Sequence, residues 1–253
     1  MSRVAIVTGA SSGIGAGIAR LLARRGWTAV LIARREERLR ALAQEIGGEY
    51  EVCDVADRGA VEAAAAAVLE RHPLVHLLVN NAGIPARAGF VEAHPAAIEN
   101  ALRVNYLGGV WCLRAFLPGL EAAAPSDVAN IVSVAGVIAW PQSGPYAASK
   151  HAQLAFSRAT SAELKLRNIR VHTVKPGFVE TEGFPQGRLP SSLRRLVIGP
   201  EQIAQHVVDS VEQGRGETTV PRYYAVAGWF QALLPNVATR LLARSGQGSR
   251  IGR

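Results

Sequence analysis

The chain has 253 residues, 49% of them hydrophobic and 19% charged, which excludes a disordered or collagen-like polypeptide and leaves room for one large core. Its two cysteines, Cys53 and Cys112, have no CxxC or zinc-type spacing, and its six histidines are scattered, so neither a disulfide framework nor a protein-held metal is expected. The formal charge of +8 would suit an anionic partner, but the basic residues are mostly dispersed arginines with short doublets such as Arg24-Arg25, so no nucleic-acid partner is expected.

A strand at Val4–Val7 opens the chain and leaves no space for a signal peptide, and no apolar run is long enough to span a bilayer; this predicts a cytoplasmic protein. Thr8-Gly9-Ala10-Ser11-Ser12-Gly13-Ile14-Gly15 follows, then a helix over Ala16–Arg25. Strand, glycine turn and helix together make a phosphate site, because glycine lets the backbone approach a pyrophosphate and the helix start offers free N–H groups. The second strand, Thr28–Ala33, ends at Arg34-Arg35. Arginine there suits the 2′-phosphate of NADP, where an acid would suit the ribose of NAD. Arg34 is the stronger candidate; Arg35 serves equally well as the start of the charged helix Glu36–Ile46.

A third strand near Tyr50–Cys53 ends at Asp54-Val55, and a helix over about Arg58–Arg71 follows. The apolar strand Val75–Val79 ends at Asn80-Asn81-Ala82-Gly83. A long helix from around Pro95 to Leu117 contains Asn105. The fifth strand, Asn130–Val134, carries Ser133. The loop 135–145 leads into a helix that holds Tyr146 and Lys150 and runs to about Leu166. A sixth strand, Arg170–Val174, ends at Lys175-Pro176-Gly177-Phe178-Val179-Glu180-Thr181. A helix over Pro200–Gln213 and a last strand, Thr218–Val220, follow. Alternating strands and helices predict right-handed βαβ units around a parallel sheet, with ligands at the carboxyl ends of its strands, where every polar or glycine-rich cluster falls. Tyr146 and Lys150, four apart on a helix, face one space. An ammonium there would lower the phenol's pKa from about 10 and make it a proton donor or acceptor near neutral pH. Ser133 could hold a carbonyl oxygen.

Taken together, these motifs resemble those of the short-chain dehydrogenase/reductase family from Val4 to about Val220. The resemblance implies a single Rossmann-type domain over 1–222: an α/β, doubly wound parallel sheet of seven strands with helices on both faces. It implies hydride transfer between NAD(P) and an alcohol or carbonyl. Tyr146 would be the acid/base, Lys150 its partner and a ligand of the nicotinamide ribose, and Ser133 the holder of the substrate oxygen. Asn105 would keep a water of a proton relay. Asp54 and Val55 would contact adenine and Asn81, Ala82 and Gly83 the adenosine side. Pro176, Gly177, Val179 and Thr181 would hold the carboxamide. Relatives that use NADP often carry a second basic residue in the glycine turn, where this chain has Ser12. NADP is nevertheless the expected cofactor, with NAD the alternative.

Val137, Ile138, Trp140, Pro141 and Gln142, with Phe184, Leu189, Leu193 and Leu196, would wall a largely apolar pocket. The expected substrate is a hydrophobic ketone or secondary alcohol. A 3-oxoacyl thioester, with Arg194 and Arg195 meeting an acidic carrier, is the alternative, and an idle nucleotide-binding sensor or scaffold the reading of another class. The resemblance also implies a homodimer or homotetramer built on the helices of Asn105 and Tyr146, with Ala152, Ala155, Phe156, Ala159 and Ala162 as a close-packing stripe; the same stripe could be core. The tail, 223–253, reads as apolar Tyr224–Leu234 and then a helix from Pro235 with Val237, Ala238, Leu241 and Leu242 on one face and Arg240 and Arg244 beside it. Such a tail could fold over its own pocket, pack on another subunit or lie on a membrane surface.

Overall fold

The computed structural model describes residues 2–86, 89–182 and 197–247, with side chains described as far as 243. Phe184, Leu189, Leu193, Arg194, Arg195 and Leu196 lie outside the described residues.

Seven parallel strands form one sheet in the order β3-β2-β1-β4-β5-β6-β7. They are β1 (Val4–Thr8), β2 (Thr28–Ala33), β3 (Glu49–Val52), β4 (Leu77–Asn80), β5 (Ser126–Ile131), β6 (Ile169–Pro176) and β7 (Glu217–Val220). Wound against them are α1 (Gly13–Arg24), α2 (Glu36–Ile46), α3 (Arg58–Arg71), α4 (Pro95–Leu102), α5 (Gly108–Ala122), α6 (Gly144–Lys165), α7 (Pro200–Glu212), α8 (Tyr224–Leu233) and α9 (Pro235–Gln247). The central strands β1, β4 and β5 are buried throughout, as strands covered on both faces must be. Leu22 of α1, Leu39 of α2 and Ile203 of α7 pack one face. Val68 of α3, Phe116 of α5 and Leu164 of α6 pack the other. The winding direction reverses between β1 and β4, and that switch point opens the crevice in which such sheets bind ligands.

Two elements differ from the sequence reading. The fifth strand begins at Ser126 and ends at Ile131, so Ser133 lies just beyond it. Ser126 and Asp127 read as loop because they are polar, yet both are buried with partners. Ser126 Oγ donates to Leu120 O, and Asp127 accepts two bonds from Arg170 and faces His172 Nε2 at 2.8 Å. The long helix is interrupted by a π-helical turn, Arg103–Leu107, and continues through Pro118 to Ala122. Pro118 is tolerated because it and Arg114, whose carbonyl it leaves without a donor, are exposed to water.

A polar chain crosses the interior behind the crevice. Asn80 Nδ2 donates to Asn130 Oδ1 at 3.0 Å, Asn130 Nδ2 donates to Ser157 Oγ at 2.8 Å, and Ser157 Oγ lies 2.7 Å from Thr173 Oγ1. It links β4, β5, α6 and β6 by directional bonds, which fixes the register of the strands that carry the site.

Candidate active site

A cleft of about 820 Å³ runs along the carboxyl ends of the strands. Its floor at one end is the glycine turn. Gly9 and Gly13 have φ of +66° and +56°, in the left-handed region that glycine enters freely. A Cβ on Gly9 would lie 2.8 Å from Ala82 Cα. The Thr8 hydroxyl donates to Val79 O and accepts from the N–H of Asn81 and of Ala82, while Asn81 Nδ2 donates to Thr8 O. These bonds hold the ends of β1 and β4 together. Ser12 caps α1 with its backbone alone, so the first N–H groups of that helix are left for a ligand. A cradle that no side chain could share, at a helix start, fits a pyrophosphate.

Gly9, Ser11, Ser12, Gly13 and Ile14 line this end of the cleft. Gly15 does not: a Cβ there would meet Asn81 Nδ2 and Gly9 O at 2.5 Å, so its work is helix-to-turn packing. Arg34 and Arg35 both line the cleft, and their side chains take different directions. Arg35 lies over the turn, with Nη2 donating to Ser12 Oγ at 2.6 Å and to Ser11 Oγ at 2.9 Å. The basic group that the turn itself lacks is thus supplied from the end of β2. Arg34 turns to Asp54, 3.5 Å away. Glu182, which had not been picked out, accepts from Arg35 at 2.7 Å and also from Arg38, and it borders the same cleft. Asp54 and Val55 line the cleft beyond β3, Asn81, Ala82 and Gly83 beyond β4, and Pro176 at the end of β6 with Gly177, Val179 and Thr181 beyond it. Thr181 faces the turn: a Cβ on Gly13 would lie 3.2 Å from its methyl.

The reactive end joins three elements. Ser133 caps a short 3-10 turn, its Oγ accepting from Ala135 N at 3.1 Å. Tyr146 and Lys150 sit one turn apart near the start of α6, with Lys150 Nζ 6.0 Å from the phenol ring centre. The lowering of the phenol's pKa expected from Lys150 is not seen here. Burial raises Tyr146 above its ordinary value, and only the Ser133 hydroxyl pulls it down. Burial also lowers the lysine, to about 7. The ammonium is directed elsewhere, to Gln153 Oε1 at 2.7 Å and Ile131 O at 3.3 Å.

Asn105 lies in the π-turn, does not line the cleft and is almost wholly buried. Its side chain accepts from Ile84 N and donates to Ile84 O and Ser149 Oγ. A Cβ on Gly83 would lie 3.3 Å from Asn105 Oδ1 and 3.6 Å from Lys150 Nζ, so this glycine keeps open the space that the two groups border. Gln153 was readable as a partner three residues from Lys150. Ser149 carried no signal, because its bond to Asn105 joins residues 44 apart.

Trp140, Pro141, Gln142 and Phe178 wall the other end of the cleft, with Trp140 edge-on to Phe178 at 6.3 Å. Val137 and Ile138 do not line it. Val137 packs against Gly228 of α8, where a Cβ would come within 3.1 Å of it. Tyr224 of α8 rests on Gly177 and meets Phe178 edge-on at 5.9 Å.

The sequence pattern of the family described as short chain dehydrogenase matches residues 3–188. This chain belongs to that family. The short-chain dehydrogenase is 30% identical, over 98% of its length and 82% of the relative's, to dehydrogenase/reductase SDR family member 7B of Bos taurus. It is 37% identical to a putative ketoacyl reductase of Streptomyces coelicolor, covering 71% of this chain and 72% of that one. Among solved structures, an alcohol dehydrogenase from the archaeon Thermococcus sibiricus, complexed with 5-hydroxy-NADP, superposes with a TM-score of 0.78 at 30% identity, covering 88% of this chain and 98% of that chain. The chain is thus an oxidoreductase of the family, with a nicotinamide-dinucleotide cleft. No helix among the described residues is long and apolar enough to cross a membrane.

Proposed function

We propose that this short-chain dehydrogenase uses NADP(H) to interconvert a hydrophobic secondary alcohol and its ketone. The observation that carries the reading is one continuous cleft with Ser133, Tyr146 and Lys150 at one end and Arg35 over the glycine turn at the other. NADP, when bound, gives or takes the hydride. The chain's own residues do the rest. The Ser133 hydroxyl donates to the carbonyl oxygen, and Tyr146 gives that oxygen a proton in reduction or removes it in oxidation. Burial keeps the phenol protonated, as ketone reduction requires. Lys150, held by Gln153 and the Ile131 carbonyl, stands one turn behind as a group of readily changed charge beside the space that Asn105 borders. Arg34 and Arg35 supply the positive charge for a 2′-phosphate.

Trp140, Pro141 and Phe178 favour an apolar substrate. Reduction of a 3-oxoacyl thioester is the second reading, favoured by the likeness to a putative ketoacyl reductase. A panel of apolar ketones and acyl thioesters, each assayed with NADPH and NADH, tests both. Turnover of apolar ketones with NADPH is expected. A preference for small charged substrates counts against the apolar pocket, and absence of turnover across the panel favours an idle nucleotide-binding protein. Assembly through α5 and α6 belongs to the same reading. Ala155, Ala159 and Ala162 are exposed rather than core, so they are free to pack on a second copy.

A further inference from the structure

Helix α8 is apolar on two opposite faces, and the fold uses only one of them. Tyr224, Gly228 and Gln231, spaced i, i+4, i+7, form the inward stripe. The Tyr224 ring packs on Gly177 and Phe178, and Gly228 packs on Val137. Gln231 accepts from Ala139 N at 2.7 Å and donates to Ala139 O at 2.8 Å. Val226, Trp229, Phe230 and Leu233, spaced i, i+3, i+4, i+7, form the outward stripe, and they are 63%, 69%, 38% and 78% exposed. Leu234, between the helices, and Val237 and Leu241 of α9 are also apolar and exposed, at 50%, 43% and 51%. A helix apolar all round belongs in a core or in lipid, and an exposed apolar surface on this scale marks an interaction site.

The charge around the patch selects the partner. After Glu217 the sequence holds no aspartate or glutamate; its only charged side chains are Arg222, Arg240, Arg244, Arg250 and Arg253. Arg222 and Arg240 are exposed beside the two stripes. A second copy docking face to face would bring arginines together with no acidic side chain in the tail to offset them. An anionic bilayer offers acyl chains for the apolar stripe, an interface that favours tryptophan, and electrostatic attraction for each arginine near its surface.

We infer that the outward face of α8 and α9 docks the protein on an anionic membrane surface, lying in the interface without crossing it. The inward face of α8 touches Phe178, which lines the apolar end of the cleft, and Val137 and Ala139, which precede the lining residue Trp140 in the chain. Docking therefore sets that end of the cleft at the lipid boundary. The inference is independent of which cofactor or substrate the cleft takes, and its test uses no activity.

The full chain is floated through a density gradient with phosphatidylglycerol vesicles and with phosphatidylcholine vesicles. It is expected to rise with the former at low salt and much less with the latter. The double variant Trp229→Ser/Leu233→Ser, whose sites are exposed and make no contact with the cleft, is expected to lose at least about tenfold in vesicle partitioning. Arg222→Gln/Arg240→Gln is expected to weaken only the anionic binding. Unchanged nucleotide affinity, measured by fluorescence titration, verifies that each variant is folded. A full chain that stays at the bottom with both vesicles overturns the inference, as does a Trp229→Ser/Leu233→Ser variant that floats like the parent. If that variant instead turns an oligomer into monomers by sedimentation, or abolishes capture of an acidic soluble protein, the face is a protein interface and the inference fails.

Discussion

The Arg35 guanidinium lies across the glycine turn and donates to the Ser12 hydroxyl at 2.6 Å, so a residue of the second strand's end supplies the charge that the turn lacks. Arg35→Gln removes a charge-assisted partner for a 2′-phosphate while leaving the turn's backbone in place. NADPH affinity is expected to fall about tenfold or more, NADH affinity to change little, and Arg34→Gln to have the smaller effect. Fluorescence titration of both variants with both nucleotides checks this. Equal losses for NADPH and NADH would mean that Arg35 merely orders the turn.

Glu182 already occupies the cations that a 2′-phosphate would use, accepting from Arg35 and from Arg38. The arginines hold its carboxyl below the usual range, so it is ionised at neutral pH. Two anions competing for the same guanidinium groups weaken each other. Because exposed ion pairs are weak and screened by water, Glu182→Gln is expected to tighten NADPH only modestly, roughly twofold, and leave NADH unchanged. A variant that binds both nucleotides more weakly would show instead that Glu182 straps its loop over the ligand.

The parallel sheet and much of the cleft's lining were legible because they rest on local signals. Alternation of apolar runs with helical segments gave the sheet, and Gly9, Gly13, Tyr146 and Lys150 lie close enough in sequence to be read as units. Long-range partners were not. Nothing near Arg35 announces Glu182, 147 residues on, and nothing near Asn105 announces Ser149. The start of β5 was missed because Asp127 looks like loop until Arg170 and His172 surround it. For Tyr146, helical spacing fixes its proximity to Lys150 but not where the ammonium's bonds go, which is to Gln153 and the Ile131 carbonyl.

Tyr146→Phe keeps the ring and removes the hydroxyl that the proposed reaction uses to exchange a proton with the substrate oxygen. Turnover is expected to fall by about 10²–10⁴ with nucleotide affinity unchanged. Single-turnover kinetics and equilibrium titration on the same preparation separate the two quantities. Full turnover by the variant would remove Tyr146 from the mechanism.

Gly177 couples the cleft to the tail, because a Cβ there would come within 2.2 Å of the Tyr224 ring. Gly177→Ala is expected to destabilise by about 1–3 kcal/mol, since the obstructing atoms belong to a ring packed against Phe178. Tyr224→Ala alone also loses packing. The double variant is expected to be more stable than the sum of the single losses predicts, because the clash and the ring disappear together. Strict additivity in denaturant unfolding would show that α8 does not rest on this glycine.

Lys150 makes the site a source of pH-dependent instability. Burial lowers its pKa from 10.5 to about 7 in the folded protein, so the native state binds fewer protons than the unfolded chain between those values. Stability therefore rises with pH across that window, and the cost of the buried ammonium is complete below about pH 7, on the order of a few kcal/mol. Lys150→Met removes the titrating group at similar length. It also leaves Gln153 Oε1 without its donor, at a cost of about 1–3 kcal/mol that does not change with pH. The informative quantity is thus how the difference between variant and parent changes with pH. Melting of the nucleotide-free proteins at pH 6 and pH 9.5 is expected to show the variant gaining on the parent at pH 6 by about 5 °C or more relative to pH 9.5. A difference that stays constant between the two pH values would mean that Lys150 keeps a folded-state pKa near or above 10.5, as an ordinary or anion-paired ammonium does.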